Sequence, residues 1–361
     1  MSQIERDKLL LARSNYASVF DLNLLATDES ASVRSGVGEN PNCPPEILPL
    51  LAVDIDVGVR LAVAENATCP ASLLGMLAND EDRYVRAEVA QNQNTDSAVL
   101  LKLSTDAESD VRYGVAKNLN CPVDILTNLA SDSGSDWLIR YQVGFNHRCP
   151  PEVMSMLAKD GNSSVRQGVA LNKHAPLNLI YALAADNDEE VLACIARNPS
   201  TPLEILESLD RTHLDVRSGL AINPHTPLEL LVTLLDDEEL DVRLGLTENP
   251  ITPLPWLLDM LCFDKHHKVR GSVKMRLQSN DADYWSNAVT DGISLAMVRH
   301  ANPANLTSAT PNDLTLGEYL LRFDEVNVYQ AIQAAELAVQ INSAVPANSD
   351  GITVPTRSRR M

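Results

Sequence analysis

Apolar positions along this chain fall in two alternating helical rhythms, and together they mark out a unit of about 26 residues. In the stretch Leu214 to Asp237, LDVRSGLAINPHTPLELLVTLLDD, Val216 and Leu220 stand four apart and share one helix face. The pattern predicts a first helix over roughly Val216 to Ile222, with Asp215 at its front to cap free N–H groups. Asn223 and Pro224 end it, because Asn tolerates the left-handed conformation that closes helices and Pro cannot continue one. Thr226-Pro227-Leu228-Glu229 then predicts a second start, with Thr as N-cap, Pro at the first helical position and Glu completing a capping box. Thr201-Pro202-Leu203-Glu204 carries the same signal one unit earlier. Leu230, Leu231 and Leu234 form the apolar stripe of the second helix, and an acidic turn from Asp236 to Glu239 leads onward.

The unit recurs along most of the chain. Val-Arg pairs occur at Val33-Arg34, Val59-Arg60, Val85-Arg86, Val111-Arg112, Val165-Arg166, Val216-Arg217, Val242-Arg243 and Val269-Arg270, with Ile139-Arg140 and Val191-Leu192 as variants. An asparagine keeps the same beat at Asn40, Asn66, Asn92, Asn118, Asn146, Asn172, Asn198, Asn223 and Asn249. Helices this short are marginal alone in water, so neighbouring units must stack to bury their Val and Leu faces. The expected fold is all-α, a solenoid of about ten two-helix repeats.

The unit D-x-x-V-R-x-x-V-A-x-N-P-x-T-P-x-E-I-L-x-x-L-A resembles the leucine-rich repeat variant family. DVRYGVAKNLNCPVDILTNLA, from Asp110 to Ala130, and VRSGVGENPNCPPEILPLLA, from Val33 to Ala52, are close matches. The resemblance covers roughly residues 15 to 275. It implies alternating α and 3-10 helices wound into a right-handed superhelix, with little or no β structure. One founding type of that family carries an N-terminal cysteine cluster for an iron–sulphur centre. Here the first cysteine is Cys43, already inside a repeat, so that cofactor does not carry over and none is expected.

The rhythm sets the organisation. Residues 1–30 hold an N-terminal cap, a helix from about Ile4 to Leu11, and a degenerate first unit with Ser18 capping Val19 to Ala26. The repeat solenoid runs over 31–276. Residues 277–345 form a helical C-terminal cap, with helices near Tyr284 to Val289, Ile293 to His300, Leu316 to Phe323 and Asn327 to Asn342 and a loop from Asn302 to Asp313. The last helix could instead serve dimerisation or a partner, and a monomer is the favoured state. Residues 346–361, ending TRSRRM, read as a disordered tail with a basic tip.

Composition narrows the function classes. Aromatic residues are only 4% of the chain, so the core is built from Leu, Val, Ile and Ala. A formal charge of −20 opposes a general nucleic-acid or anionic-membrane binder. Charges within the first apolar stretch argue against a signal peptide, and no run approaches a membrane span, so a cytoplasmic setting is the expectation.

Candidate chemistry is sparse. Cys43, Cys69, Cys121 and Cys149 share the slot that elsewhere holds Thr95, Ala175, Thr201, Thr226 or Thr252. Neighbouring slots lie a helix-packing distance of about 8–10 Å apart, too far for a disulfide or a common zinc ion. They read as small turn residues, or else as thiols activated at a helix N-terminus. Cys194 and Cys262 read as buried small hydrophobes. His147, His174 and His225 lie in separate turns, so no two are expected to share a metal, and His266-His267 precedes a helix that one of them could cap. No H-E-x-x-H, phosphate loop or G-x-S-x-G occurs, and Asp281, Asp283 and His300 are the weak basis for a C-terminal enzyme site.

The arginine column, Arg34, Arg60, Arg86, Arg112, Arg140, Arg166, Arg217, Arg243 and Arg270, is the candidate partner face. Each guanidinium could bridge to a carboxylate of the neighbouring turn and to helix-end carbonyls. Alternatively part of the column stays unpaired and binds an acidic partner segment or a phosphate backbone. The functional expectation is a non-catalytic scaffold that binds another protein or peptide, with nucleic-acid binding through the column as the rival.

Overall fold

A computed structural model describes residues 2–131, 136–298 and 314–344. Among them are twenty-four α-helices, no strand, and a single antiparallel bridge between Val298 and Thr315. The chain divides into two compact units, Met1–Gly219 and Leu220–Met361.

The first unit opens with the helices Gln3–Ala12 and Val19–Leu25, each started by a serine capping box, Ser2 with Glu5 and Ser18 with Asp21. Seven Val-Arg helices follow: Ala31–Glu39, Val57–Glu65, Arg83–Gln91, Ser109–Lys117, Trp137–Phe145, Ser163–Ala170 and Glu189–Arg197. Shorter second helices alternate with them, such as Ala71–Leu77 and Pro151–Leu157. The signature valines Val33, Val59, Val85, Val111 and Val165 are fully buried, each contributing roughly 1.5–2 kcal/mol by leaving water. Successive Val-Arg helices pack along their lengths, whereas successive second helices barely touch. Glycine makes the close side possible. A Cβ on Gly168 would stand 2.3 Å from the Tyr141 carbonyl oxygen, and one on Gly114 would stand 2.7 Å from that of Ala87.

The recurrent asparagines hold this close side together. Their backbones are extended rather than left-handed, with φ near −63° and ψ of 120–129° at Asn66, Asn92, Asn118 and Asn146. That extended bend aims each side chain back at the preceding unit. Asn118 Nδ2 donates to the Ala90 and Asn92 carbonyls at 2.8 and 2.9 Å, and Asn92 does the same to Ala64 and Asn66. Its Oδ1 accepts the N–H of the residue two ahead, Asn120 for Asn118. The buried amide is thereby satisfied on both sides, and each unit is joined to the carbonyl ends of the unit before it.

Other local expectations are corrected. Second elements are short α-helices, and the only 3-10 element among the described residues is Val232–Leu234. Helix Leu214–Ile222 places Asp215 inside its first turn, not at its cap. Pro202 and Pro227, rather than Thr201 and Thr226, are the N-caps. The threonine hydroxyls point backward and donate to Ile195 O and Leu220 O at 2.6 and 2.7 Å, so no capping box forms. These turns bring a helix-end carbonyl within reach of the hydroxyl, and that bond replaces the cap.

In the second unit the same repeat continues through Leu240–Glu248, Leu254–Phe263 and His267–Gln278. Asn249 donates to Ala221 O and Asn223 O. Arg276 occupies the next asparagine slot and bonds the Thr247 and Asn249 carbonyls at 2.7 and 2.8 Å, which closes the ladder. Helix Val326–Ala344 packs against Ala282–Thr290 and His267–Gln278. No helix occupies 293–298: Gly292, at φ 103°, ends the preceding helix, and Leu295 O and Met297 O accept from Gly317 and Leu316 instead. The remainder of that expected helix, the Asn302–Asp313 loop and the 346–361 tail lie outside the described residues.

Candidate protein-interaction surface

Each Val-Arg helix presents two edges, one at its start and one at its end. The starting edge holds the arginines. Arg60 Nε and Nη2 donate to the two carboxylate oxygens of Asp80 at 2.7 and 3.0 Å, while Nη1 donates to Asp54 O at 2.8 Å and Ile55 O at 3.3 Å. Asp80 also accepts the Asp82 N–H at 2.9 Å. One guanidinium therefore joins its own turn to the next. Arg34 pairs in the same way with Asp54, Arg86 with Asp106, Arg140 with Asp160, Arg166 with Asp186 and, in the second unit, Arg243 with Asp264. Arg112 and Arg270 donate to the carbonyls of Asp106 and Asp264. Arg217 bonds Arg211 O and Thr212 O.

The electrostatics follow from this pairing. The Arg34 guanidinium holds Asp54 below the usual carboxylate range, and Arg166 does so for Asp186. At Asp80, Asp106 and Asp160 burial pushes upward, but the guanidinium and backbone N–H bonds outweigh it. Among the described residues, six arginines of the column make bidentate ion pairs that tie one repeat to the next.

The turn cysteines are buried, and all six thiols are free. Burial pushes Cys43 and Cys69 to about 11, and Cys121 and Cys149 to about 12. Desolvation of the thiolate works against the activated-thiol alternative. Cys194 is half-buried rather than buried, though desolvation still raises it to about 12. His147 and His174 are nearer neighbours than their separate turns suggested, with ring centroids 6.4 Å apart. No cluster of three or more metal-ligating side chains occurs among the described residues. His266 Nδ1 accepts from Lys268 N and so caps its helix. Asp281 caps Tyr284, and His300 lies outside the described residues.

The ending edge departs from its repeat pattern in the middle of the first unit. The last helical position is Glu39, Glu65, Gln91, Lys117 and Phe145 in successive Val-Arg helices. The equivalent position is then Leu171 and Arg197. A groove of about 970 Å³ runs there, lined by Gln91, Lys117, Leu119, Gln142, Phe145, His147, Leu171, Lys173 and their neighbours. No Asp or Glu lines it. Phe145 is 44% exposed and stacks on Tyr141, and Leu119 is 54% exposed. Sequence reasoning missed this surface because it followed positions that repeat. The usable signal was a column whose identity drifts from acid to amide to cation and apolar.

Comparison with known proteins adds a likeness in repeat type. No family model and no curated protein matches the chain. The chain is similar to a leucine-rich repeat variant. That solved structure is described as "a leucine-rich repeat variant with a novel repetitive protein structural motif". It is 26% identical, covers 60% of this chain and 82% of that chain, and superposes with a TM-score of 0.39. No helix among the described residues is long and apolar enough to cross a membrane.

Proposed function

We propose that the protein is a non-catalytic interaction scaffold that binds another protein or a peptide segment. The reading keeps the partner on the Val-Arg helix side but moves its centre from the arginine column to the ending edge. The observation that carries it is the groove without carboxylates on a chain of net charge −20. A chain so acidic keeps one cleft free of negative charge and leaves aromatic and aliphatic side chains open there, as a binding surface requires.

The column itself serves the body. Arg34, Arg60, Arg86, Arg140, Arg166 and Arg243 spend Nε and Nη2 on carboxylates, which leaves few donors for a phosphate backbone. That weakens the nucleic-acid alternative.

The test uses the full-length chain with a photo-crosslinking residue in place of Phe145, and separately in place of Ile55, in its native host. The scaffold reading expects a discrete protein adduct from the Phe145 site and none from the Ile55 site. Failure of both sites to capture a protein, together with a salt-sensitive gel shift on generic DNA or RNA, would overturn it in favour of the alternative.

A further inference from the structure

The groove carries an unusual set of unsatisfied groups. Gln142 is only 8% exposed, lines the groove and makes no side-chain hydrogen bond. It stands in the slot that Gly114 and Gly168 occupy in the flanking units, where backbone contact otherwise fills the space. Its amide atoms are not sealed in the core, and an amide open toward a cleft can receive a donor and an acceptor from outside.

The cations around it are also unusual for this chain. Lys117 reaches the neutral Gln91 Oε1 at 2.8 Å, and among the described residues Lys173, Arg148 and Arg197 make no ion pair. They come from four consecutive repeats, and Lys117 and Lys173 line the groove itself. Toward the N-terminal end the same edge turns acidic. Glu39 pairs with Arg13, and Glu65 is pushed above its ordinary range by burial and by Glu88 and Glu39. The edge is therefore polarised, anionic at one end and cationic with open apolar side chains at the middle.

We propose that this groove binds an extended acidic peptide segment of a partner protein, whose carboxylates meet Lys117 and Lys173, whose apolar anchor sits against Phe145, and whose backbone bonds Gln142. The inference rests on the scaffold reading and supplies its partner chemistry. Three steps between units span about 25–30 Å, which an extended chain covers in roughly eight residues. The amide of Gln142 supplies a donor and an acceptor to a backbone that has no helix of its own. Glu39 and Glu65 set direction, because they repel any acidic continuation past the N-terminal end. A nucleic-acid strand would meet the same cations but would run onto those carboxylates with a charge at every residue.

The experiment selects peptides of about twelve residues from a random display library against the full-length chain, a length that covers the groove with a margin. Enriched peptides are then titrated by fluorescence anisotropy against the wild type, K117E/K173E and F145S, with thermal melts confirming that each variant is folded. The expected peptides are rich in Asp and Glu around one apolar residue. Their affinity should fall about tenfold or more in K117E/K173E and weaken with salt, while F145S should lower it with little change in salt dependence. Enriched peptides that are neutral or basic would overturn the proposal. So would binding that both variants leave intact, which would put the peptide site elsewhere and leave the scaffold reading standing. Polyuridylate bound more tightly than any selected peptide, and lost in K117E/K173E, would overturn both readings. A selection with no enrichment would remove the acidic-peptide proposal alone, since a folded partner could still dock.

Discussion

The two edges of the Val-Arg helices share one backbone and have opposite chemistry. At the starting edge the residue type repeats, and each of six arginines meets an aspartate 20 or 21 positions ahead. At the ending edge Glu39, Glu65, Gln91, Lys117, Phe145, Leu171 and Arg197 occupy one slot with seven occupants of five chemical kinds. Repetition marks what one unit owes its neighbour. The Arg60 guanidinium ties the Asp54 turn to the Asp80 turn, and Asn118 ties its helix end to Ala90 and Asn92. The varying slot holds no tie that recurs: Glu39 pairs with Arg13 and Lys117 bonds Gln91, but no one bond runs along it.

The asparagine ladder is where the distinction can be broken most decisively. In Asn118→Asp the two donors to Ala90 O and Asn92 O become a carboxylate oxygen facing carbonyl oxygens in a fully buried site. The expected loss is roughly 3–5 kcal/mol, measured by urea unfolding. A loss under about 1 kcal/mol would show that the buried amide is dispensable and that repetition is no guide to stability.

Next in size is the ion-pair column. Asp80→Ala removes the carboxylate from Arg60, whose side chain is 11% exposed, and should cost roughly 2–3 kcal/mol. The double change Arg60→Met with Asp80→Leu should recover most of that, because the cost lies in stranding one charge. If the double variant is no better than the single, the pair is needed for its turn geometry, through the Asp80 bond to the Asp82 N–H.

The same aspartates set an acid limit. Asp54, Asp80, Asp106, Asp160 and Asp186 all titrate below their ordinary value in the folded chain. Their contribution is complete above the unfolded carboxylate value of about 4 and is lost as pH falls through the lower folded values. Urea midpoints should therefore be flat on this account from neutrality down to about pH 4 and drop below it. A smaller drop is expected in the Arg60→Met, Asp80→Leu variant. An equal drop in both would assign acid sensitivity to other carboxylates.

Much of this was legible in the sequence, and the limits have physical causes. Val-Arg spacing and asparagine punctuation foretold the helix pairs and the slot shared by Cys43, Cys69, Cys121, Cys149 and Thr95, since a period exposes equivalent positions directly. The arginine pairing was one of two open readings, because spacing alone cannot say whether a guanidinium faces a turn or solvent. Two roles stayed hidden for one reason. Residue type alone makes Thr201 a forward cap and Asn223 a left-handed helix end, whereas the Thr201 hydroxyl and the amide of Asn118, in the same slot as Asn223, point back to carbonyls that precede them. Local rules assign a side chain to its own helix, whereas a stacked unit offers acceptors from the unit before. Gln142 and Phe145 stayed hidden because their columns do not keep one residue type, and their meaning depends on a groove that only stacking creates.

The smallest expected change is the most discriminating. Lys117→Gln and Lys173→Gln remove two cations that no carboxylate in the described structure answers, and Lys117 gives up only a bond to Gln91. If the ending edge owes the stack nothing, the double variant should melt at the wild-type temperature, or slightly lower because an already acidic chain becomes more so. Raised salt should erase even that difference, since screening acts on long-range repulsion between exposed charges. A pronounced drop that persists in salt would mean that these lysines hold units together as the arginines do. The contrast between the two edges would then be one of residue type, with no division of labour behind it.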